Sequence, residues 1–310
     1  MMRAMILAAG LGTRLHPLTN YVPKPLLPVV GEPNIVRVIR HLKRAGIREI
    51  VINLHHLPDM IANAIGAGDA HGVSVEYTRE PALLGTAGGI RNALEYLGDE
   101  TFIVVNGDAF FTPDIEGALA FHKKSGAGAT LVVRTDPRAE SYGAVGLDRA
   151  GKVVRLAWSK SEKNADSLGM FTGVHILEPS FARGLPAAGC IVRETYMPLV
   201  KDGAPIYGFF NNSWFFDLGT PRDYLRANLS LLRGEITCDQ FAPPGQKIFV
   251  GQDVEYGSNC RLLEGAIVGS RVRIEPGVTI ERAVVLDDSR VLQDVRDAIV
   301  VSDRVVPANC

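Results

Sequence analysis

The sequence predicts an α/β protein, an open and mostly parallel sheet with helices on both faces, followed by a small β-helix. Three observations carry that prediction. Short apolar runs alternate with amphipathic helical stretches across residues 4–133, the pattern of a sheet whose strands are joined by crossover helices. A glycine-rich loop and an Asn-Gly-Asp turn each close one of those runs, and an open parallel sheet binds ligands at the carboxyl ends of its strands. A six-residue apolar period occupies the end of the chain, the signature of a β-helix.

The elements follow in order. Residues 4–9 are a short apolar run ended by Gly10, as in a strand buried on both faces. Ile35, Val36, Val38, Ile39 and Leu42 recur at helical spacing after Pro33, and Gly46 stops that helix. Strands are expected at 49–54, 73–77, 101–105 and 129–133, and helices at 60–65, 87–97 and 115–123. Residues 144–147 and 153–156 flank a turn and read as a hairpin, with a further strand at 171–177. Helical patterns return at 193–200 and 221–232. Residues 241–246, with Pro243, Pro244 and Gly245, read as a linker. The predicted domains are therefore 1–235 and 247–310.

Beyond the linker, positions 254, 260, 266, 272, 278 and 284 are Val, Cys, Ala, Val, Val and Val, and positions 256, 262, 268, 274, 280 and 286 are Tyr, Leu, Val, Ile, Ile and Leu. Two fixed phases so occupied make a chance alternation a poor account. The phase fails after Leu286, where irregular turns or a cap are expected.

Composition narrows the function classes. The chain has 310 residues, with 33 Lys and Arg against 34 Asp and Glu, so it lacks the basic excess of a dedicated nucleic-acid binder. No apolar run approaches the ~20 residues of a membrane helix, and the first residues are too short an apolar segment for a signal peptide. A cytoplasmic location is expected. Cys190, Cys238, Cys260 and Cys310 form no CxxC pair and read as small buried or surface thiols.

Gly10 and Gly12 after a first strand suit an anion, because glycines let backbone N–H groups approach it. The loop is not the dinucleotide fingerprint, since its third glycine position is Leu15, and no Gly-Lys-Ser/Thr makes it a Walker loop. Thr13, Arg14 and then Lys24 between Pro23 and Pro25 sharpen the reading. Two flanking prolines hold that lysine on a stiff segment, and a rigid lysine ten residues after a loop arginine suits a polyphosphate. Asp108 and Asp217 close apolar strands at the binding edge, and two dispersed carboxylates fit Mg²⁺, which takes oxygen ligands together with phosphates and water.

These motifs, with Glu80 to Gly89, Asn106 to Asp108, Tyr142 and Gly143, Phe171 to Gly173, Phe216 to Thr220 and the repeat, resemble in order and kind the sugar-1-phosphate nucleotidylyltransferases. The likeness is to their bacterial GDP-mannose pyrophosphorylase branch in particular. It implies a Rossmann-like α/β domain with a left-handed β-helix. The implied reaction is Mg²⁺-dependent nucleotidylyl transfer from a nucleoside triphosphate, GTP favoured, to a hexose 1-phosphate, mannose 1-phosphate favoured.

By the same resemblance Arg14 and Lys24 are catalytic. Leu7, Ala8, Ala9, Gly10, Gly12, Thr13, Glu80 and Gly85 bind the nucleotide, Asp108 and Asp217 bind Mg²⁺, and Gly143 and Gly173 line the sugar. Many members grip the sugar phosphate with the lysine of a Glu-Lys-Pro. This chain has Glu162 and Lys163 without the proline, and Lys160 as a rival. Glu80 is expected to read guanine, whose N1–H and N2–H a carboxylate accepts side by side. Uridylyl or thymidylyl transfer to a glucose- or N-acetylmuramate-type sugar is the alternative, and a non-catalytic regulatory homologue the second. A β-helix acyltransferase is disfavoured, because no His follows His175. The repeat is expected to join subunits into a homo-oligomer, and a chain cut near Phe241 to retain residual chemistry.

Overall fold

The computed structural model describes residues 2–156, 165–237 and 246–308. Contacts gather the chain into two compact units that interleave in sequence: Met1–Gly10, Val38–Gly107 and Thr112–Ser213 in the first, and Leu11–Arg37, Asp108–Phe111 and Trp214–Cys310 in the second.

The first unit is built on a nine-stranded sheet. Its centre is parallel. Arg3–Leu7 lies between Glu49–Leu54 and Phe102–Asn106, and Ser74–Arg79 extends the sheet beyond Glu49–Leu54. Met5, Val51 and Val104 are fully buried in the core that Ala87 and Ile90 of the helix Gly85–Asn92 complete, as strands covered on both faces require. The long strand Ser167–Leu177 runs antiparallel to Phe102–Asn106, to Ala129–Arg134 and to the predicted hairpin strand Ala144–Leu147. The sheet is thus more mixed toward that edge than the repeated strand-helix pattern suggests.

Three local expectations are revised. The helix expected over 87–97 is two, Gly85–Asn92 and Leu94–Leu97, parted at Ala93. The helix over 193–200 begins as a π turn, Val192–Tyr196, before Met197–Lys201. Pro198 explains this, since it has no N–H to donate to the carbonyl four residues back. The strand Ile206–Phe210, which pairs in parallel with Ala129–Arg134, escaped the sequence reading. Its central Gly208 hides the alternation, and a Cβ there would stand 2.6 Å from Leu147.

The second unit contains the repeat. Ile248 pairs with Ala266, Glu255 with Arg273 and Arg261 with Thr279, all parallel and each eighteen residues apart. Three six-residue faces per coil give that spacing, as in a β-helix. Ala266, Val268, Val272, Ile274, Val278 and Ile280 fill the interior. The phase slips earlier than expected. Arg282, at φ 44°, shifts the strand so that Ala283 and Val285 turn inward, while Val284 and Leu286 face outward. The outward side chains are not wasted, because the helix Pro221–Leu232 covers them. A strand apolar on both faces leaves no alternation to read. The strand Arg304–Pro307 closes the far end by pairing antiparallel with Val295–Val301.

One core then joins the repeat to the glycine-rich loop. Leu15, Leu18, Leu27, Val29 and Val30 pack with Phe110, Leu218, Tyr224 and Leu225 and with Ile267, Val284, Leu286 and Ile299 of the solenoid wall. Val30 N–H donates to Asn228 Oδ1 at 2.7 Å, fixing the end of that loop to the helix.

Candidate active site

In the second unit the loop beginning at Leu11 turns at Gly12, whose φ of 63° lies in the left-handed region that favours glycine. A Cβ there would also stand 2.7 Å from Thr19 Cγ2, and the Thr19 hydroxyl donates to the Gly12 carbonyl at 3.0 Å. Thr13–Leu15 follow as a short 3₁₀ turn that presents the Arg14 side chain to solvent. Lys24 opens a second such turn, Lys24–Leu26, closed by the Leu27 N–H donating to the Lys24 carbonyl at 3.1 Å. With Pro23 and Pro25 on either side, its stem is fixed and buried.

The two aspartates arrive on a two-stranded ribbon that the sequence did not announce. Ala109–Phe111 pairs antiparallel with Phe215–Asp217, and the register sets Asp217 opposite Ala109, next to Asp108. The Asn34 side-chain amide donates to the Ala109 carbonyl at 3.1 Å, and the Arg37 guanidinium lies 5.5 Å from the centre of the Phe110 ring. Arg37 is itself held by Glu32 at 3.3 Å and by the Val29 carbonyl at 2.6 Å.

The four charged residues singled out in the sequence meet here. Lys24 Nζ donates to Asp108 Oδ2 at 2.7 Å and lies 3.5 Å from Asp217 Oδ1, while Arg14 Nη2 lies 3.4 Å from Asp217 Oδ2. Gly219 lets them close, because a Cβ there would fall 2.6 Å from Arg14 Nη2 and 2.9 Å from Asp217 Oδ1. Two carboxylate oxygens thus converge on one cationic centre. All-oxygen donors of that kind fit Mg²⁺. Among the described residues no group of three or more His, Cys, Asp or Glu side chains gathers as a metal cage.

In the first unit a chain of hydrogen bonds runs across the strand ends. Ala8 N–H donates to Asn53 Oδ1 at 2.8 Å, Asn53 Nδ2 donates to Glu80 Oε1 at 2.7 Å, and Leu84 N–H donates to Glu80 Oε2 at 2.9 Å. Both Glu80 oxygens are engaged and the residue is 4% exposed. Through Asn53 and the Leu84 N–H the carboxylate ties the Leu7 to Gly10 segment to the turn before Gly85. Gly85, at φ 73°, starts the helix Gly85–Asn92, and a Cβ there would strike the Gly189 carbonyl at 2.5 Å. At Gly10 a Cβ would instead project into open space.

Gly173 sits in an irregular stretch of Ser167–Leu177 at φ 84°, where a Cβ would fall 2.5 Å from the Asn106 amide. Gly143, at φ 93°, leads into Ala144–Leu147. Lys160 and Lys163 lie outside the described residues. Asn53, Thr19, Asn34 and Gly219 were not anticipated. Asn53 left a trace in sequence as a lone amide near the end of an apolar strand, and Gly219 lies within the motif Phe216 to Thr220 without a role of its own assigned there.

Residues 3–234 match the family model described as Nucleotidyl transferase, and the chain belongs to that family. Among curated proteins it is 32% identical to "Mannose-1-phosphate guanylyltransferase" of Mycobacterium tuberculosis, an alignment covering 93% of this chain and 80% of the relative. It is 31% identical to "UTP--glucose-1-phosphate uridylyltransferase" of Synechocystis, over 90% and 76%. Among solved structures, HddC from Yersinia pseudotuberculosis complexed with GMP-PN superposes with a TM-score of 0.61 at 27% identity, over 74% of this chain and 98% of that one.

Proposed function

We propose that this enzyme transfers a nucleotidylyl group from GTP to mannose 1-phosphate with Mg²⁺, releasing pyrophosphate. The observation that carries the reading is the convergence of Lys24, Asp108, Asp217 and Arg14 on one point. A sugar phosphate oxygen attacks the α-phosphorus. The bond from that phosphorus to the oxygen bridging the β-phosphate breaks, and pyrophosphate departs with the electron pair. The nucleophile is already an anion, so positioning and charge neutralisation matter more than a base. Lys24 holds the α-phosphate, and exposed Arg14 holds the β- and γ-phosphates that leave. Mg²⁺, held by Asp108 and Asp217, supplies further neutralisation of phosphate charge. Gly143 and Gly173 admit the sugar, with Lys160 or Lys163 on its phosphate.

The choice of GTP and mannose draws support from the relatives named guanylyltransferases. The uridylyl relative of nearly equal identity makes UTP with glucose 1-phosphate the second reading. A panel of every nucleoside triphosphate against several sugar 1-phosphates, read by pyrophosphate release, tests the choice. A higher kcat/KM with UTP or dTTP than with GTP across the panel overturns it.

Glu80 enters that panel as well. Because its oxygens serve Asn53 and the Leu84 N–H, Glu80→Gln leaves one of those donors without an acceptor, at a cost of about 1–3 kcal/mol. We expect kcat/KM to fall by a similar factor for all nucleotides. A selective loss of GTP use would restore base reading to this carboxylate.

A further inference from the structure

We infer that Lys24 is the resting counter-ion of the divalent-metal position, and that the metal enters only as a nucleotide draws the ammonium away. The inference rests on the reading of Asp108 and Asp217 as metal ligands. Among the described residues these two carboxylates are the acceptors of the Lys24 ammonium, at 2.7 and 3.5 Å. A Mg²⁺ ion sits about 2.0–2.1 Å from its ligand oxygens, so a metal on the same two oxygens shares the space that Nζ occupies. Like charges at such distances repel strongly where water is partly excluded, and the Lys24 side chain is only 8% exposed.

Its backbone is held between Pro23 and Pro25 and its side chain is buried, so on leaving the aspartates the ammonium needs another anion within reach. An incoming phosphate is one. Metal and nucleotide affinities are then coupled, each raising the other, as reciprocal linkage demands. The resting pair also keeps two neighbouring carboxylates neutralised between turnovers. Arg14, exposed and 3.4 Å from Asp217, adds to that neutralisation.

The test reads metal binding rather than turnover. Mn²⁺, visible by electron paramagnetic resonance, is titrated into the full chain without nucleotide, as wild type, Lys24→Met and Lys24→Gln. Both variants are expected to bind Mn²⁺ about tenfold or more tightly than wild type, and Asp108→Asn in the Lys24→Met background removes the gain. An α,β-methylene nucleoside triphosphate should then tighten Mn²⁺ binding more in wild type than in either variant. Thermal melts without metal show whether each variant is folded, and two unlike replacements keep the comparison informative if one is not. Equal, Asp108-dependent Mn²⁺ affinity in wild type and both variants overturns the counter-ion role and leaves the metal site standing. If no form binds Mn²⁺ at this site, even with nucleotide, the metal reading falls and this inference with it.

Discussion

Asp108, just before one strand of the ribbon, and Asp217, at the end of the other, approach the Lys24 ammonium together. Asp108→Asn keeps the shape and removes half the negative charge. We expect kcat to drop by about 10²-fold or more at saturating Mg²⁺, the scale of losing one electrostatic contributor to a transition state. Near-normal turnover would take that residue out of the role. A different residue contributes to the acid sensitivity of the fold. His175 Nδ1 shares a 2.7 Å hydrogen bond with the Tyr196 hydroxyl inside the core, and burial lowers its pKa to about 3 from an ordinary 6.5. Between those values the unfolded chain binds a proton that the folded chain refuses. Stability is therefore fully present above pH 6.5 and declines by ~1.4 kcal/mol per pH unit as pH falls toward 3. Urea melts from pH 7 to 5 should show that slope, and His175→Asn should flatten it; an unchanged slope would place the acid sensitivity elsewhere.

At the scale of elements, the loop from Leu11 to Val30 has little regular structure and is shaped by glycine, proline and threonine. Gly12→Ala places a Cβ in a left-handed backbone, at about 1–2 kcal/mol, and drives it against Thr19 Cγ2. The movement would carry Arg14 and the neighbouring Lys24 away from the aspartates. We expect kcat/KM to fall by about tenfold or more with little change in melting temperature. Adding Thr19→Ser, which deletes that methyl and keeps the hydroxyl on the Gly12 carbonyl, should recover part of the loss. No recovery would mean that backbone strain alone is responsible. The glycine and proline pattern marked this loop in advance. The ribbon that brings Asp217 beside Asp108 was not marked, because Ala109–Phe111 and Phe215–Asp217 are three residues each and pair across more than a hundred residues of chain.

At the scale of the molecule, the repeat forms the wall of the core on which the Arg14 and Lys24 loop rests. The expectation that a chain cut near Phe241 keeps residual chemistry is therefore revised. Such a cut exposes the loop's apolar underside and removes Ile267, Val284, Leu286 and Ile299, each at most 2% exposed. At about 1.5–3 kcal/mol per buried aliphatic side chain, the loss rivals a typical domain stability of about 5–15 kcal/mol. Residues 1–246 alone should give a broad, low-temperature melt and no pyrophosphate release; a sharp melt with measurable turnover would show that the loop supports itself. The proposed role of the solenoid in joining subunits is checked separately, by light scattering of the full chain at micromolar concentration. A monomer there removes it.

By itself the sequence determined the alternation of strands and helices, the glycine-rich loop, the four charged residues and the solenoid, because each is a local matter of period, punctuation or residue type. It also carried the family resemblance, in the order of its short motifs. The tertiary structure decided what required distant residues to meet. It paired Lys24 with both aspartates, set Glu80 between Asn53 and the Leu84 N–H, and folded the solenoid under the loop. A carboxylate before a proline looks the same in sequence whether its oxygens face a base or a backbone N–H. Only the long-range packing, which places Asn53 beside Glu80, shows which protein donors those oxygens accept from.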